Sequence, residues 1–581
     1  MKKNCPTLQY LVIDLTKEKW SVHTIPQSVF ASYLGGDGVG LYLYEAFCPS
    51  GERNCELEPI VFTTGICTQF QIFESDSLTI TARSSSSHMV RSVQGRSSFA
   101  SSLISCGFSA LVLTGSARRQ MVIELSSEHI GFTASEKLIN KKVSETLTLL
   151  NLSPLYASIV IGPAGENKIP FASLISDGRS IEREGFGALL GAKRIKALVI
   201  EKGPYTFIST HQKEIQELTD QLEKRIKKSL YYKKEQKENH LAVVRSAHEG
   251  GFASVAHLTK RCDPRMAHLF GSEYPHLYSP TTIDAVIIKD LQGNDVVMDS
   301  NAMLAFGSNI KNFDPVVSAT YTYLSIDLGL DPISTAMVIS WVMEGVERGI
   351  VDDILLKYDD FSHIEEIIES IAQGTGYGKK LAKGSASLAK EYNNVEFISS
   401  INGKEMLPYD IRGAYGQGLL MALGYDFHHP FEVLHQIMPL TDSNKKAASV
   451  IIAQHIYIIS SALGINYHTL TAFLNVNQLS PLLYEKCVND VMALLSKIVS
   501  FLQENEYSGA ELVTISRRTL LKEELINAAS RASLAHVPLQ FLLNVDSNFE
   551  KESTIPLTKL LDEYKVLHEI DLTLCKEEVM E

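Results

Sequence analysis

The chain has 581 residues, 45% of them hydrophobic and 21% charged, with a formal net charge of −13. This length exceeds one ordinary core and predicts several domains of globular composition. The acidic balance excludes a nucleic-acid binder, and no apolar run of about 18 residues predicts a membrane span.

In chain order, the region up to about residue 205 is expected to be strand-rich. Leu8–Pro26 ("LQYLVIDLTKEKWSVHTIP") has an apolar run, a polar turn at Thr16–Lys19 and then alternation, the pattern of a hairpin. "SLTITAR", "ALVLTG", "MVIEL", "ASIVIG" and "KALVIEK" are further short β-type runs, many ending at Gly or Pro. Gly35–Gly40 ("GGDGVG") lacks G-x-G-x-x-G spacing and a full preceding strand, so it predicts a tight turn into a closely packed helix, not a dinucleotide loop. Further on, Arg183, Gly185, Gly187, Gly191 and Lys193 gather small and basic residues at a helix start. This arrangement suits either an anion such as phosphate or close packing.

From Thr210 the pattern changes. Ile215, Leu218, Leu222, Ile226 and Leu230 recur at three- and four-residue spacing, which predicts an amphipathic helix with a solvated charged face. Helices are expected over 331–350, 362–374, 379–393, 445–464, 481–505 and 519–535. Asp331-Pro332 and Asp442-Ser443 read as helix starts. Tyr409–Gly418 ("YDIRGAYGQG") places a carboxylate and Arg412 among glycines, with Asp426, His428 and His429 following. Adjacent histidines point in different directions, so they do not readily serve one ligand. No repeat of solenoid length is evident. The fold class expected is α+β multidomain: a β-rich N-terminal part followed by helices.

The eight cysteines (Cys5, Cys48, Cys55, Cys67, Cys106, Cys262, Cys487, Cys575) form no C-x2-C pair. Scattered usage fits reduced thiols and offers no ready zinc or iron–sulfur ligand set. With no basic, apolar leader at Met1, a soluble cytoplasmic protein is expected. One stretch remains unplaced. His257–Phe270 ("HLTKRCDPRMAHLF") sets Cys262 between His257 and His268, open to reading as a metal ligand or a nucleophile.

Taken in order, "VIDLT", "YLGGDGVGLYL", "CGFSALVLTG", "GPAGENKIPFASLISDGR", "REGFGALLGAK", "LGLDPIST" and "YDIRGAYGQG" resemble the aldehyde ferredoxin oxidoreductase family over nearly the whole chain. The resemblance implies a β-rich base domain over 1–208 and helical domains over 209–405 and 406–581. A tungsten or molybdenum bis-pterin would lie between base and helices. By the same resemblance, the cofactor-contacting positions are Gln94, Gly95, Arg96, Arg183, Gly185, Gly187, Leu330, Asp331 and Arg412. His428 or His429 would stand near the metal, and Asn301 would stand where the family has its acid–base glutamate.

The chain also departs from the family pattern. The family's C-x2-C-x3-C cluster motif, set against Thr259–Met266, leaves only Cys262. Other registers bring Arg265 and Leu269-Phe270 to the remaining places, and the fourth cysteine falls near Ile465. A [4Fe–4S] cluster is therefore predicted absent, and no metal ligands are assigned. An amide at Asn301 cannot exchange a proton near neutral pH. Ser75–Ser77 replaces a pterin-contacting Gly-Gly-Arg, Ile326 replaces an aspartate, and Thr320 and Tyr323 replace an iron-binding E-x2-H pair.

Three readings follow. The first is a pseudoenzyme or partner subunit, beside a paralogous oxidoreductase or in a homodimer. The second is an active pterin-dependent oxidoreductase on aldehyde or oxo groups with another electron path. The third is a scaffold re-used for a different phosphorylated small molecule in the inter-domain cavity. None involves nucleic acid or a membrane.

Overall fold

The computed structural model describes residues 2–3, 6–49, 56–72, 74–229, 232–233, 241–270, 279–280, 285–352, 355–394, 397–425, 439–472, 481–528, 541 and 554–579. The N-terminal part holds two six-stranded sheets. The first is built from β1 (Gln9–Asp14), β2 (Lys19–Thr24), α1 (Gly36–Phe47), β3 (Ile60–Thr64), β4 (Ser77–Arg83), β5 (Val90–Arg96), α2 (Ser98–Ser105) and β6 (Ala110–Thr114). The second is built from β7 (Met121–Leu125), β8 (Ile130–Ala134), α3 (Val143–Leu150), β9 (Tyr156–Val160), β10 (Ile175–Ser176), β11 (Arg179–Ser180), α4 (Phe186–Ala192) and β12 (Ile195–Glu201).

Strand order is β2-β1-β6-β3-β4-β5 in one sheet and β8-β7-β12-β9-β10-β11 in the other. In each, the first strand pairs with the last in parallel, β1 with β6 and β7 with β12, and every other pairing is antiparallel. Each sheet also takes a helix after its opening hairpin and another before its closing strand. The base is thus an internal duplication at the level of topology. No sequence periodicity reveals it, because the two halves share a connection order and not a residue pattern.

Period-two alternation sets the layers. Leu11, Ile13, Leu111 and Leu113 of one sheet meet Ile123, Ile159, Leu198 and Ile200 of the other in a shared core. On the opposite faces, Val12, Val61 and Val112 pack toward α1, while Val122, Val160 and Val199 pack with Val143 of α3. The Gly35–Gly40 stretch opens α1 as expected. A Cβ on Gly38 would strike the Tyr33 ring and one on Gly40 would strike Thr81, so these glycines serve close packing over the sheet.

Beyond the base the chain is mainly helical, so the architecture is α+β multidomain. The helices used below are α5 (Gln212–Lys228), α6 (Ser300–Ala305), α7 (Pro315–Asp327), α8 (Pro332–Glu347), α9 (Tyr415–Ala422), α10 (Lys446–Leu463), α11 (Tyr467–Ala472), α12 (Pro481–Gln503), α13 (Gly509–Asn527) and α14 (Leu557–Val579). A hairpin, β13 (Ala285–Lys289) with β14 (Asp295–Asp299), precedes α6.

Three expectations shift. The helix expected over 379–393 is two short ones, Gly378–Leu381 and Ser385–Glu391, broken at Gly384 with φ +82°. Asp442-Ser443 does not open the next helix, which begins at Lys446, one residue from the expected 445. The helix expected from 519 begins at Gly509, capped reciprocally by Ser508 and Glu511. Among the described residues, one helix, α10, is long and apolar enough to cross a membrane, but 83% of it is buried inside the protein. It is a core helix.

Candidate functional site

The helical part meets the base along two seams built alike. At the first, α7 ends at Leu328-Gly329-Leu330-Asp331 and α8 follows. At the second, α10 ends at Leu463-Gly464-Ile465-Asn466 and α11 follows. Gly329 and Gly464 both adopt φ +76°. A Cβ on Gly162 would collide with Leu328, and one on Gly65 would collide with Gly464, so each base loop offers a glycine to the helical turn.

The backbone hydrogen bonds correspond as well. Ser173 N–H donates to Gly329 O (2.9 Å), as Ser77 N–H donates to Gly464 O (3.2 Å). Asp331 N–H donates to Phe171 O (2.9 Å), as Asn466 N–H donates to Glu74 O (3.2 Å). Asp331 and Asn466 then cap the next helix, accepting from Ser334 N–H (2.9 Å) and His468 N–H (2.9 Å) respectively.

Side chains bridge both seams directly. Arg183, from the base, donates to Asp331 Oδ2 (3.0 Å), Ser334 Oγ (3.4 Å) and Glu405 O (3.2 Å), and both members of the ion pair are buried. On the other side, Gln94 Nε2 donates to Tyr457 O (2.9 Å) and Ser460 Oγ (3.0 Å) of α10. Ser461 Oγ donates to Asp37 Oδ1 (2.5 Å) and accepts from Asp37 N–H (2.9 Å). Burial pushes the Asp37 carboxyl up to about 7, with Glu523 adding to the rise and Ser461 opposing it.

Between the seams lies a cleft of about 730 Å³ including solvent at its mouth. Gln94, Gly95, Arg96 and Arg179 line it from the base, Asp299, Thr322 and Pro332 from the first helical segment, and Asn466 and His468 from the second. Gly95 is where the two sheets meet, since a Cβ there would strike Ile181. Arg96 is ion-paired to Glu74 (2.6 Å) and Asp76 (3.0 Å).

The structure gathers some of the sequence-derived positions and disperses others. Gln94, Gly95, Arg96, Arg183, Leu330 and Asp331 converge on the cleft or its first seam. Gly185 and Gly187 have their α-carbons against the backbone of Pro170 and Ser173, as close packing requires. At this helix start the anion slot holds the chain's own Glu182, whose carboxylate accepts from Leu174 N–H (3.0 Å) and Glu184 N–H (2.6 Å). Burial pushes the Glu182 carboxyl up to about 7, against those amides. Lys193 is drawn to the other side, donating to Glu56 O (2.9 Å) and Gly115 O (2.9 Å). Arg412 grips Asp410 (Nη2 to Oδ2, 2.6 Å) and donates to Leu258 O (2.6 Å). Asn301, fully buried on α6, accepts from the Tyr409 hydroxyl (2.6 Å). His428 and His429 lie outside the described residues.

The His257–Phe270 stretch resolves differently from a ligand loop. Cys262 is exposed and contributes nothing to the cleft lining. His257 turns inward, fully buried, and its Nδ1 pairs with Glu344. His268 ends a short 3-10 turn capped by Asp263. Among the described residues no group of three or more His, Cys, Asp or Glu side chains is placed to hold a metal.

Asp37, Ser461, Glu182, Glu184 and Tyr409 were not singled out from sequence. Asp37 alone had a visible signal, a carboxylate inside a glycine run.

A duplicated two-sheet base clamped by two helical segments, with a cleft between the clamps, defines a class of multidomain α+β proteins. Residues 10–202 match the profile described as the N-terminal domain of aldehyde ferredoxin oxidoreductase, and residues 286–569 match that of its domains 2 and 3. The chain belongs to the aldehyde ferredoxin oxidoreductase family.

It is similar to the tungsten-containing aldehyde ferredoxin oxidoreductase of Pyrococcus furiosus, 25% identical over 431 residues and covering 71% of each chain. It is also similar to the WOR-like subunit of the aliphatic sulfonate oxidoreductase of Pyrococcus furiosus, 23% identical over 458 residues and covering 70% of each. Among solved structures, the active-site complex BamBC of benzoyl-coenzyme A reductase with 1,5-dienoyl-CoA matches with a TM-score of 0.75. That match spans 97% of this chain and 94% of the other at 18% identity, a likeness of fold alone.

Proposed function

We propose that this chain is a family member without redox turnover, acting in the cytoplasm as a non-catalytic partner subunit with an eroded tungstopterin site and no iron–sulfur cluster. The observation that carries the reading is the commitment of the would-be cofactor contacts to the chain itself. Arg183 is bound to Asp331, Arg96 to Glu74 and Asp76, and Gln94 to the backbone of α10. A doubly phosphorylated cofactor needs donors and cations; here Arg183 and Gln94 are spent on joining base to helices, and Arg96 on two carboxylates of the base. By the family resemblance Asn301 replaces the acid–base glutamate, and its amide oxygen already accepts from Tyr409. An exposed Cys262 away from the cleft supports the absence of a cluster, which needs several thiolates. The tungsten group therefore does not fit these residues. A relative described as a subunit, and a fold match described as a complex, support a place beside an active oxidoreductase.

Elemental analysis of protein purified from a tungsten-supplied host that builds the pterin tests this. The expected result is neither tungsten, molybdenum nor iron near stoichiometry. Stoichiometric tungsten would overturn the proposal.

A further inference from the structure

A second cavity shares no lining residue with the cleft. It has two half-open lobes of about 420 and 410 Å³ including solvent at their mouths, both lined by Arg91, Glu184, Gly424 and Tyr425. It lies where the base, the 401–407 segment and the α9–α10 region converge.

Its wall is balanced in charge. Arg91 is ion-paired with Glu523 and lies over the Tyr425 ring, 5.6 Å from the centroid. Lys404 is ion-paired with Glu184. The second lobe adds Asp37, whose carboxyl is pushed up to about 7 by burial. Gly424, at φ +81°, lets the Arg91 guanidinium approach, since a Cβ there would collide with it. The rest of the first lobe sets Ile401, Met406, Leu407 and Met421 beside Ser87, Asn402 and Glu405, whose carboxyl burial also pushes up to about 7.

One group in this wall is unsatisfied. Glu184 is 3% exposed; its Oε1 accepts from Lys404, and its buried Oε2 has no donor among the described residues. A buried carboxylate oxygen without a donor is costly, so a donor is expected there. A charged ligand would leave an unpaired buried charge against two balanced ion pairs. A neutral ligand would not. We propose that this cavity binds a small, neutral, mostly apolar molecule that donates one hydroxyl or amide hydrogen to Glu184 Oε2. The assignment goes beyond the partner-subunit reading and does not depend on it, because metal content and ligand binding are measured separately.

Cyclohexanol and cyclohexanone probe it, being nearly isosteric while only the alcohol donates. Calorimetric titration of the full chain should show cyclohexanol bound about tenfold more tightly than cyclohexanone or cyclohexylammonium. Glu184→Gln keeps an oxygen for Lys404 and turns an N–H toward the ligand, so the preference should reverse toward the ketone. Leu407→Trp should fill the first lobe and abolish binding of both. The proposal is overturned if wild-type protein does not bind cyclohexanol, if Glu184→Gln leaves the preference unchanged, or if Leu407→Trp binds as before. Should Glu184→Gln not fold, the wild-type comparison and Leu407→Trp still decide.

Discussion

The two seams share a backbone and differ in chemistry. Both set a helix-ending glycine at φ +76° against a base glycine, and both make the same pair of backbone hydrogen bonds. At the first seam the capping residue is a carboxylate locked to Arg183; at the second it is an amide, and the bridging work passes to Ser461, Asp37 and Gln94. The difference teaches that glycine contact and main-chain bonding preserve a docking geometry while side chains diverge. What a seam can bind is set by the side chains alone.

The comparison can be broken most severely at the charged seam. Arg183→Met leaves Asp331 buried and unpaired, and should cost about 3–5 kcal/mol, read as a large fall in the denaturant midpoint. Adding Asp331→Asn should return much of it, because the stranded charge is then removed. A double mutant no more stable than Arg183→Met would mean the pair is not the mainstay of this seam.

Next in size come the glycines. Gly65→Ala and Gly162→Ala each force a methyl into facing backbone, and should cost about 1–3 kcal/mol apiece. Similar losses in the two variants would sharpen the equivalence of the seams. A loss confined to one would show that only one turn is tightly docked.

A third effect is in pH, and it has opposite signs at two sites. The folded-state pKa of Asp37 is raised from 3.8 to about 7, so its contribution is fully present below about 3.8 and is lost as pH rises through about 7. Asp37→Asn should flatten that decline in a series of melts across this window. Asp571 behaves inversely: burial pushes its carboxyl upward, but His455 and Arg517 outweigh it and hold it at about 2. Its contribution is present above about 3.8 and is lost as pH falls through about 2. If Asp37→Asn follows the wild-type curve at neutral pH, the neutral seam is more open to water than its burial implies.

Much of the fold was legible beforehand because strand alternation and helix periodicity are local. Leu11, Ile13 and Val12 face the layers that their order requires, and Ile215, Leu218, Leu222 and Ile226 are buried along α5. The duplication of the base was not legible, since topology leaves no residue period. At the site, Asp331 reads as a cap from its own tetrapeptide, but its tie to Arg183 joins residues 148 positions apart. Cys262 invited a ligand reading because its neighbours are suggestive in one dimension; folding sends His257 into the core beside Glu344 and leaves the thiol at the surface.

By itself the sequence determined the α+β class, the family and the helix start at Asp331-Pro332. The class and the helix start follow from hydrophobic period and capping chemistry, which neighbouring residues encode, and the family from the order of the motifs. Only the tertiary structure decided which cations are already paired, which carboxylates burial shifts, and which buried carboxylate oxygens, Glu184 Oε2 among them, have no donor among the described residues. Those properties depend on distance and desolvation between segments far apart in the chain, and no local pattern carries them.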